Sequence, residues 1–178
     1  MLLLEINHVK HYVQDRLLLN IESLKVYNHD RIGLVGRNGS GKTSLLEMIA
    51  GEVQPDEGDI MRHARLELLP QLKRTDTTKS GGEVTQEYVQ QVFDRNAALL
   101  LVDEPTTNLD TSHIEWVEKR LRAWPGALII VSHDRAFLDK LCTTIWKIKE
   151  SNLTEYKGNY SDYVMQKELE SELAQLAF

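Results

Sequence analysis

Two short apolar runs dominate the hydrophobic pattern of the chain, Leu99–Val102 and Ala127–Val131. Both runs are continuous rather than alternating, which is typical of strands in a parallel sheet that is covered on both faces. A third apolar segment, Arg31–Val35, leads straight into a glycine-rich stretch that precedes a predicted helix. A buried strand, a glycine turn and a helix in succession predict one unit of an α/β domain.

Further elements follow from alternation, helical periodicity and turn residues. Additional strands are predicted over Leu2–Val13, Leu17–Val26, Asp59–Met61, Leu66–Leu69 and Ile145–Lys149. Helices are predicted over Thr43–Ala50, Gln86–Arg95, Ser112–Ala123, Asp134–Leu141 and Ser161–Leu176. Gly51 supplies the stop signal for the first of these helices. The alternation of strands and helices predicts a layered α/β domain with a largely parallel sheet.

Composition limits the range of functions. The chain has 178 residues, the length of one domain, and 42% of them are hydrophobic. The formal net charge of -6 makes the chain no obvious nucleic-acid binder, because phosphate contacts need a basic surface. The single cysteine, Cys142, cannot form an internal disulfide, which suits a reducing, cytoplasmic location. The apolar runs fall far short of the ~20 residues that cross a bilayer, so no membrane span is expected.

The glycine-rich stretch matches the phosphate-binding pattern G-x-x-x-x-G-K-[ST] at every fixed position. The residues of this loop, with the serine that follows it, are Gly36, Arg37, Asn38, Gly39, Ser40, Gly41, Lys42, Thr43 and Ser44. Glycines let backbone N–H groups turn toward phosphate oxygens, and the next helix points its positive end at the same anion. Lys42 would contact the β- and γ-phosphates, and the Thr43 hydroxyl would ligate magnesium. A glycine turn with a chance lysine, the alternative, does not account for the strand before it and the helix after it.

Two acids, Asp103 and Glu104, follow the apolar run Leu99–Val102. Asp103 suits a magnesium ligand that acts through water, and Glu104 suits a general base for the attacking water. Two solvated acids at a strand end are the alternative, and the pair alone does not decide between the two interpretations. The glycine loop upstream and the segment Pro105–Asp110 downstream favour the catalytic one.

A second serine-glycine turn lies between these motifs and consists of Ser80, Gly81, Gly82 and Glu83. Placed before a predicted helix, the turn could form a second phosphate-binding helix terminus. One chain has no use for two such termini on one nucleotide, but two chains that face each other head to tail do. Each chain would then lend its serine-glycine turn to the other's glycine loop. A lone tetrapeptide of this kind is more often a flexible turn.

Three further residues carry weaker signals, and each has an ordinary structural alternative. His133 follows the second apolar run, where it could hydrogen-bond a γ-phosphate or simply begin a helix. Gln71 follows Leu66–Leu69 and could reach magnesium or water, although a single glutamine there means little. Tyr12 could stack on adenine, and an ordinary core tyrosine explains the residue nearly as well.

The motifs together, in this order, resemble those of the ATP-binding cassette superfamily over almost the whole chain. The resemblance implies an α/β P-loop NTPase domain with an antiparallel β subdomain and a helical subdomain, which binds ATP and Mg²⁺. The residues that it implicates in catalysis and metal binding are Glu104, His133, Thr43, Gln71 and Asp103. Tyr12 would be the adenine-stacking residue, and Ser80–Glu83 would be the signature that contacts a nucleotide on a second cassette.

Within the superfamily the chain is similar to the ABC-F class, and most of all to the Vga-type antibiotic-resistance group. The stretches that carry this similarity are Lys10–Arg16, Thr78–Thr85, Asp103–Asp110, Ser132–Asp139 and Glu155–Tyr163. The class implies a cytoplasmic ATPase that protects ribosomes from antibiotics and has no membrane partner. Its partners would be the ribosome and a second ATP-binding cassette, in the same full-length chain or in a head-to-tail homodimer.

Two departures from the superfamily pattern bear on function. Lys79 stands where a leucine usually precedes the signature serine, and Gln71 lies only nine positions before Ser80. We therefore expect a much shortened helical subdomain, which argues against a transporter because that subdomain helps to receive the membrane partner. We expect a cassette over 1–158 and the start of an interdomain linker over 159–178, as in a truncated or excised N-terminal half. The alternatives are a transporter ATPase subunit and a nucleotide-binding fragment without independent turnover.

Overall fold

The computed structural model describes residues 1–71 and 81–176, which contain nine strands and five helices. The strands are β1 (Leu2–Val13), β2 (Arg16–Tyr27), β3 (Arg31–Val35), β4 (Glu57–Arg62), β5 (Leu66–Leu69), β6 (Leu99–Asp103), β7 (Ala127–Val131), β8 (Thr144–Lys149) and β9 (Asn152–Lys157). The helices are α1 (Lys42–Ala50), α2 (Gly81–Phe93), α3 (Thr111–Arg122), α4 (Arg135–Leu141) and α5 (Tyr160–Leu176). Lys79 and Ser80, on which two predictions rest, lie outside the described residues.

The nine strands form one sheet in the order β4-β1-β2-β9-β8-β3-β7-β6-β5. The five strands from β8 to β5 are parallel to one another. At the other end, β4, β1 and β2 pair antiparallel. Strand β9 joins the two parts, because it is antiparallel to β8 and parallel to β2. The predicted α/β fold with a parallel sheet and an antiparallel portion is confirmed.

Two hydrophobic cores lie on opposite faces of the sheet. Leu99 and Leu101 point to the face that packs against α1 and the antiparallel strands. Leu100 and Val102, which alternate with them, point to the face that α2, α3 and α4 cover. All residues of β6 and β7 are buried, and coverage on both faces explains their continuous apolar sequences.

Strand β9 has no counterpart in the sequence pattern. The strand is mostly exposed and carries only two apolar side chains, Leu153 and Tyr156. The turn that joins it to β8 places Glu150 at φ 51° and Ser151 at φ 71°. Left-handed backbone at both positions is what a two-residue hairpin turn requires, usually with Asn or Gly. With Glu and Ser there, the hairpin lacks its ordinary sequence signal.

Helix α2 begins earlier than predicted, at Gly81 rather than Gln86. Gly81 and Gly82 therefore lie in the first helical turn and not in a turn before the helix. Glycine has a poor helix propensity, which is why the sequence pattern places the start too late. Glu83 in the first turn is favourable, because its carboxylate lies near the positive end of the helix.

None of the helices in residues 1–71 and 81–176 combines the length and apolar character needed to cross a bilayer.

Candidate functional site

The carboxyl ends of three parallel strands meet at one edge of the sheet. Strand β7 lies between β3 and β6, so the segments that follow these strands are neighbours. The glycine loop follows β3, Asp103 ends β6, and His133 follows β7. In parallel α/β sheets, ligands bind in the crevice at this edge. The fold thus brings together motifs that are far apart in the sequence.

The glycine loop adopts backbone conformations that favour glycine. Gly39 has φ 78°, and Gly41, the residue that precedes α1, has φ 105°. A Cβ added at Gly41 would lie 3.1 Å from side-chain atoms of Leu18 and Leu19, so the loop also packs closely against β2. This arrangement places the N-terminus of α1 at the site, where its free N–H groups can receive an anion.

Lys42 is 8% exposed, and its Nζ donates a hydrogen bond to the Gly36 carbonyl at 2.7 Å. Burial lowers the pKa of Lys42, whereas the charges of Glu104 and Asp103 raise it. The ammonium group is thus held by a neutral carbonyl beside two carboxylates. A phosphate oxygen would be a stronger acceptor than the carbonyl, because hydrogen bonds between charged groups are shorter and stronger.

Asp103 and Thr43 are joined directly. The Thr43 Oγ1 donates to Asp103 Oδ2 at 3.0 Å. The other carboxylate oxygen, Oδ1, is buried and has no hydrogen-bond partner within the described part of the chain. Burial raises the pKa of Asp103, and the Thr43 hydroxyl and Lys42 oppose this effect. A buried carboxylate oxygen without a partner, beside a hydroxyl, fits a hard cation such as Mg²⁺.

Magnesium needs few ligands from protein when phosphates are present. The described residues contain no cluster of three or more His, Cys, Asp or Glu side chains that could hold a metal alone. One carboxylate and one hydroxyl are nevertheless enough, since Mg²⁺ usually keeps waters and binds substrate phosphates. The donor set of Asp103 and Thr43 therefore fits a magnesium–nucleotide complex better than a free metal ion.

Glu104 and His133 are in contact, with 3.2 Å between His133 Nε2 and Glu104 Oε1. The Glu104 side chain is 11% exposed and the His133 side chain 61% exposed. Burial raises the pKa of Glu104, and His133 opposes this effect. Glu104 also has φ 48°, which is an uncommon conformation for a non-glycine residue. Its backbone N–H donates a hydrogen bond to the Val131 carbonyl at 2.8 Å, which supports this conformation. A strained, nearly buried carboxylate of raised pKa suits a proton acceptor.

One cavity of about 590 Å³ unites these groups. The predicted residues that line it are Asn38, Gly39, Gly41, Lys42, Thr43, Ser44, Gln71, Asp103, Glu104 and His133. The sequence interpretation missed the other residues that line the cavity, which are Val13, Arg16, Leu18, Thr107 and Val131. Val13 and Arg16 flank the turn between β1 and β2, and only the tertiary fold shows that this hairpin reaches the loop.

Some predicted residues lie elsewhere. Tyr12 is 40% exposed, its N–H donates to Asp56 at 2.8 Å, and it does not line this cavity. Arg37 lines two neighbouring cavities instead. Ser40 Oγ is buried without a hydrogen-bond partner among the described residues. Glu83, in the first turn of α2, does not line the cavity, and Ser80 lies outside the described residues.

Known proteins resemble this chain in sequence and in fold. The family described as ABC transporter matches residues 19–75. The erythromycin resistance ATP-binding protein MsrA of Staphylococcus epidermidis is 34% identical over 94% of the chain. The ribosome protection protein VmlR of Bacillus subtilis is 33% identical over 89% of the chain. The chain covers 39% of MsrA and 34% of VmlR, so it spans less than half the length of these relatives.

A solved structure described as the ATP binding subunit of an ABC transporter superimposes with a TM-score of 0.75. The match covers 99% of this chain and all of that one, at 15% sequence identity. Identity this low establishes similarity of fold alone. The sequence relatives, which are about one-third identical to the chain, show which class of proteins it is related to.

Proposed function

Because the chain belongs to the ATP-binding cassette ATPases and is related to their ABC-F class, we propose that it binds Mg-ATP in the 590 Å³ cavity and hydrolyses it. The observation that carries this proposal is the pair of contacts at one sheet edge. Thr43 binds Asp103 beside the glycine loop, and Glu104 binds His133 next to them. The Thr43–Asp103 pair is suited to binding Mg²⁺, and the Glu104–His133 pair is suited to activating the attacking water.

The glycine loop and Lys42 bind the triphosphate in this proposal. Free N–H groups at the start of α1 donate to phosphate oxygens, and Lys42 Nζ exchanges the Gly36 carbonyl for a phosphate oxygen. Asp103 Oδ1 and Thr43 Oγ1 would hold Mg²⁺, with Gln71 lining the same cavity, and the ion would neutralise charge on the phosphate oxygens.

Glu104 acts as the general base. Its carboxylate accepts a proton from water, the water oxygen attacks the γ-phosphorus, and the bond from that phosphorus to the ADP oxygen breaks. His133 holds Glu104 in the structure, and its exposed ring can turn toward the γ-phosphate once a nucleotide binds. The histidine is thus a positioning group for the base and a hydrogen-bond partner for the phosphate.

A second cassette completes the site in this proposal. Of the signature segment, Glu83 is described, and it does not line the cavity. The serine-glycine turn of a partner would cover the γ-phosphate and exclude water. We expect the hydrolysis per chain to rise with protein concentration, because isolated chains must associate. Specific activity that stays constant over a wide dilution series would contradict a shared site.

We further propose that the chain is the N-terminal cassette of a cytoplasmic ribosome-protection protein. The names of MsrA and VmlR support antibiotic resistance and ribosome protection as the activity of the whole protein. We expect no rise in lincosamide tolerance from residues 1–178 alone, and resistance when a linker and second cassette are joined to them. A susceptibility test in a sensitive host measures both. Clear resistance from the 178-residue chain would overturn the placement of the activity.

An ATPase subunit of a transporter is the second candidate, and the family match at residues 19–75 favours it. The two candidates differ in their partner. We expect the protein to sediment with ribosomes in the presence of a non-hydrolysable ATP analogue. Isolation with an integral membrane protein, and none with ribosomes, would favour the transporter.

Glu104→Gln tests the hydrolytic proposal. The amide keeps the shape of the side chain but cannot accept the proton, so hydrolysis should fall by roughly 10²–10⁴-fold while nucleotide binding persists. Glu115→Gln, an exposed position on α3, is the matched control and should hydrolyse at the parental rate. Phosphate release and fluorescent-nucleotide titration measure the two properties. Parental phosphate release by the Glu104→Gln variant would show that Glu104 is not the base.

A further inference from the structure

We propose that the outer side of the glycine loop forms a second phosphate-binding site, lined by Arg37, Lys147, Lys149 and Lys167. We call these four residues the outer cluster. Its ligand class is the phosphate oxyanion, carried either by a phosphodiester chain or by free phosphate. None of the four residues lines the nucleotide cavity, although the cavities that contain them share glycine-loop residues with it. Binding at the outer cluster does not depend on hydrolysis.

The tertiary fold assembles the outer cluster from three elements. Lys147 and Lys149 alternate along β8 with buried neighbours, so both point to the same face of the sheet as Ile145. Helix α5, which carries Lys167, packs on this face. Arg37 follows β3 closely, and Val35 of β3 pairs with Lys147. Local sequence does not account for four cations that converge from separate elements.

Two adjoining cavities contain the outer cluster. Their volumes are about 710 and about 600 Å³, and Arg37, Lys147 and Lys167 line both. Five cationic side chains and two carboxylates line the first cavity, whereas five cationic side chains and one carboxylate line the second. The whole chain carries a net charge of -6, so this region is opposite in sign to the molecule around it.

The cations of the outer cluster form no ion pairs with described residues, although Glu150, Glu168 and Glu172 line the same cavities at longer range. Within residues 1–71 and 81–176, none of the four has a carboxylate oxygen within 4.0 Å. Ion pairs do form elsewhere, for example at 3.4 Å between Lys140 and Glu118. Burial lowers the pKa of Lys147, and each charged group that adds to this effect is a cation. An anion bound here would supply the charge that the protein omits.

The size and chemistry of the cavities favour phosphates. Lysine ammonium groups bind phosphate oxygens as point charges, and an arginine can bind two oxygens at once. Volumes of this size hold extended ligands rather than a single small ion. None of the four residues of the outer cluster lines the nucleotide cavity, so the cluster lies beside the site proposed for the triphosphate and not within it.

A fluorescent single-stranded RNA octamer tests the site, since its backbone is a chain of phosphodiesters. The full chain is titrated at low salt, and fluorescence anisotropy reports binding. We expect Lys147→Gln/Lys149→Gln to weaken binding by about tenfold or more. The slope of log affinity against log salt should become shallower by about 1.4, because each phosphate contact with a single strand contributes about 0.7.

Two lysines that lie away from the outer cluster provide the control. Lys25→Gln/Lys119→Gln removes the same charge from exposed positions on β2 and α3 and should leave binding unchanged. Fluorescent-nucleotide titration verifies that both double variants are folded at the glycine loop. Equal losses in the two double variants would mean diffuse electrostatic attraction and would overturn the proposal.

Inorganic phosphate distinguishes the two sources of the ligand. Inorganic phosphate is added to the complex of the parent protein and the RNA octamer at constant ionic strength. If the site binds free phosphate, the phosphate should displace the octamer. Persistent RNA binding would assign the site to a phosphodiester chain. The melting temperatures of the parent and of Lys147→Gln/Lys149→Gln are also measured with and without phosphate. The proposal would be overturned if the parent does not bind RNA and if phosphate raises its melting temperature no more than that of the variant.

Discussion

The two sides of the glycine loop hold their lysines in opposite electrostatic surroundings. On the nucleotide side, Lys42 lies beside Asp103 and Glu104, whose charges raise its pKa against the effect of burial. On the outer side, Lys147 lies among cations that lower its pKa further. One side therefore carries balanced charges before a ligand arrives, and the other carries an excess that a ligand can balance. Charge removal should have different consequences on the two sides.

Asp103→Asn should have the largest effect, because it removes a balancing charge and a proposed magnesium ligand from the nucleotide side. The amide oxygen can still accept from Thr43, so the local packing should persist. We expect the magnesium-dependent affinity for ATP to fall at least about tenfold, since even groups behind the ligands matter by about that factor. Nucleotide titrations with and without Mg²⁺ measure this. An unchanged magnesium dependence would contradict the metal site.

Without nucleotide, Asp103→Asn should be favourable, because it should raise the stability of the folded protein. The pKa of Asp103 is raised in the folded state, so its ionised form costs stability above that pKa. The cost decreases as the pH falls below the raised pKa and is absent below the ordinary pKa of 3.8. We therefore expect the Asp103→Asn variant to melt at a higher temperature than the parent near neutral pH, with a smaller difference in mild acid. A lower melting temperature at neutral pH would contradict the raised pKa.

Lowering the pH should have the next largest effect, which is a decrease in the rate of hydrolysis. Burial raises the pKa of Glu104 above its ordinary value of 4.5, and only the ionised form accepts a proton. Below the raised pKa, the rate should fall about tenfold for each pH unit. Single-turnover rates between about pH 4 and about pH 8 measure this limb. A rate that stays constant down to the ordinary pKa would contradict the assignment.

Lys147→Gln should have the smallest effect, and it sharpens the comparison because it removes a charge that nothing balances. Like charges destabilise a fold by a few tenths of a kcal/mol for each close pair, so we expect a small rise in the free energy of unfolding at low salt. The rise should shrink as salt screens the cluster. Urea unfolding at two salt concentrations measures it. A loss of stability at low salt would mean that Lys147 has an unrecognised counter-charge.

The placement of the proposed nucleotide-binding residues at one edge of the sheet could be predicted from sequence, because each motif is local. The pattern around Lys42 and Thr43 is fixed by the loop itself, and Asp103 with Glu104 is fixed by the end of a buried strand. Strand and loop then meet because parallel strands end at the same edge. The element boundaries of β1, β3, β5 and β7 follow from the same apolar pattern and agree with the structure.

The outer side could not be predicted, because its residues have no local pattern. Lys147 and Lys149 are ordinary lysines of a strand, and Lys167 belongs to a helix with many acids. Net charge also misleads here, since a chain of -6 suggests no basic surface. Strand β9 was missed for a related reason, as its exposed residues and its Glu150–Ser151 turn carry no strong signal. Tertiary contacts decide both features.

Lys42→Ala tests the central claim most directly, which is that the nucleotide side of the loop binds the triphosphate. Lys42 is the cation of the loop that lines the 590 Å³ cavity, and its hydrogen bond to a phosphate would be charge-assisted. Fluorescent-nucleotide titration should show an affinity at least about tenfold weaker than the parent's, as the loss of one such bond predicts. Lys119→Ala, an exposed control on α3, should bind as the parent does. Parental affinity in the Lys42→Ala variant would contradict the assignment of the site.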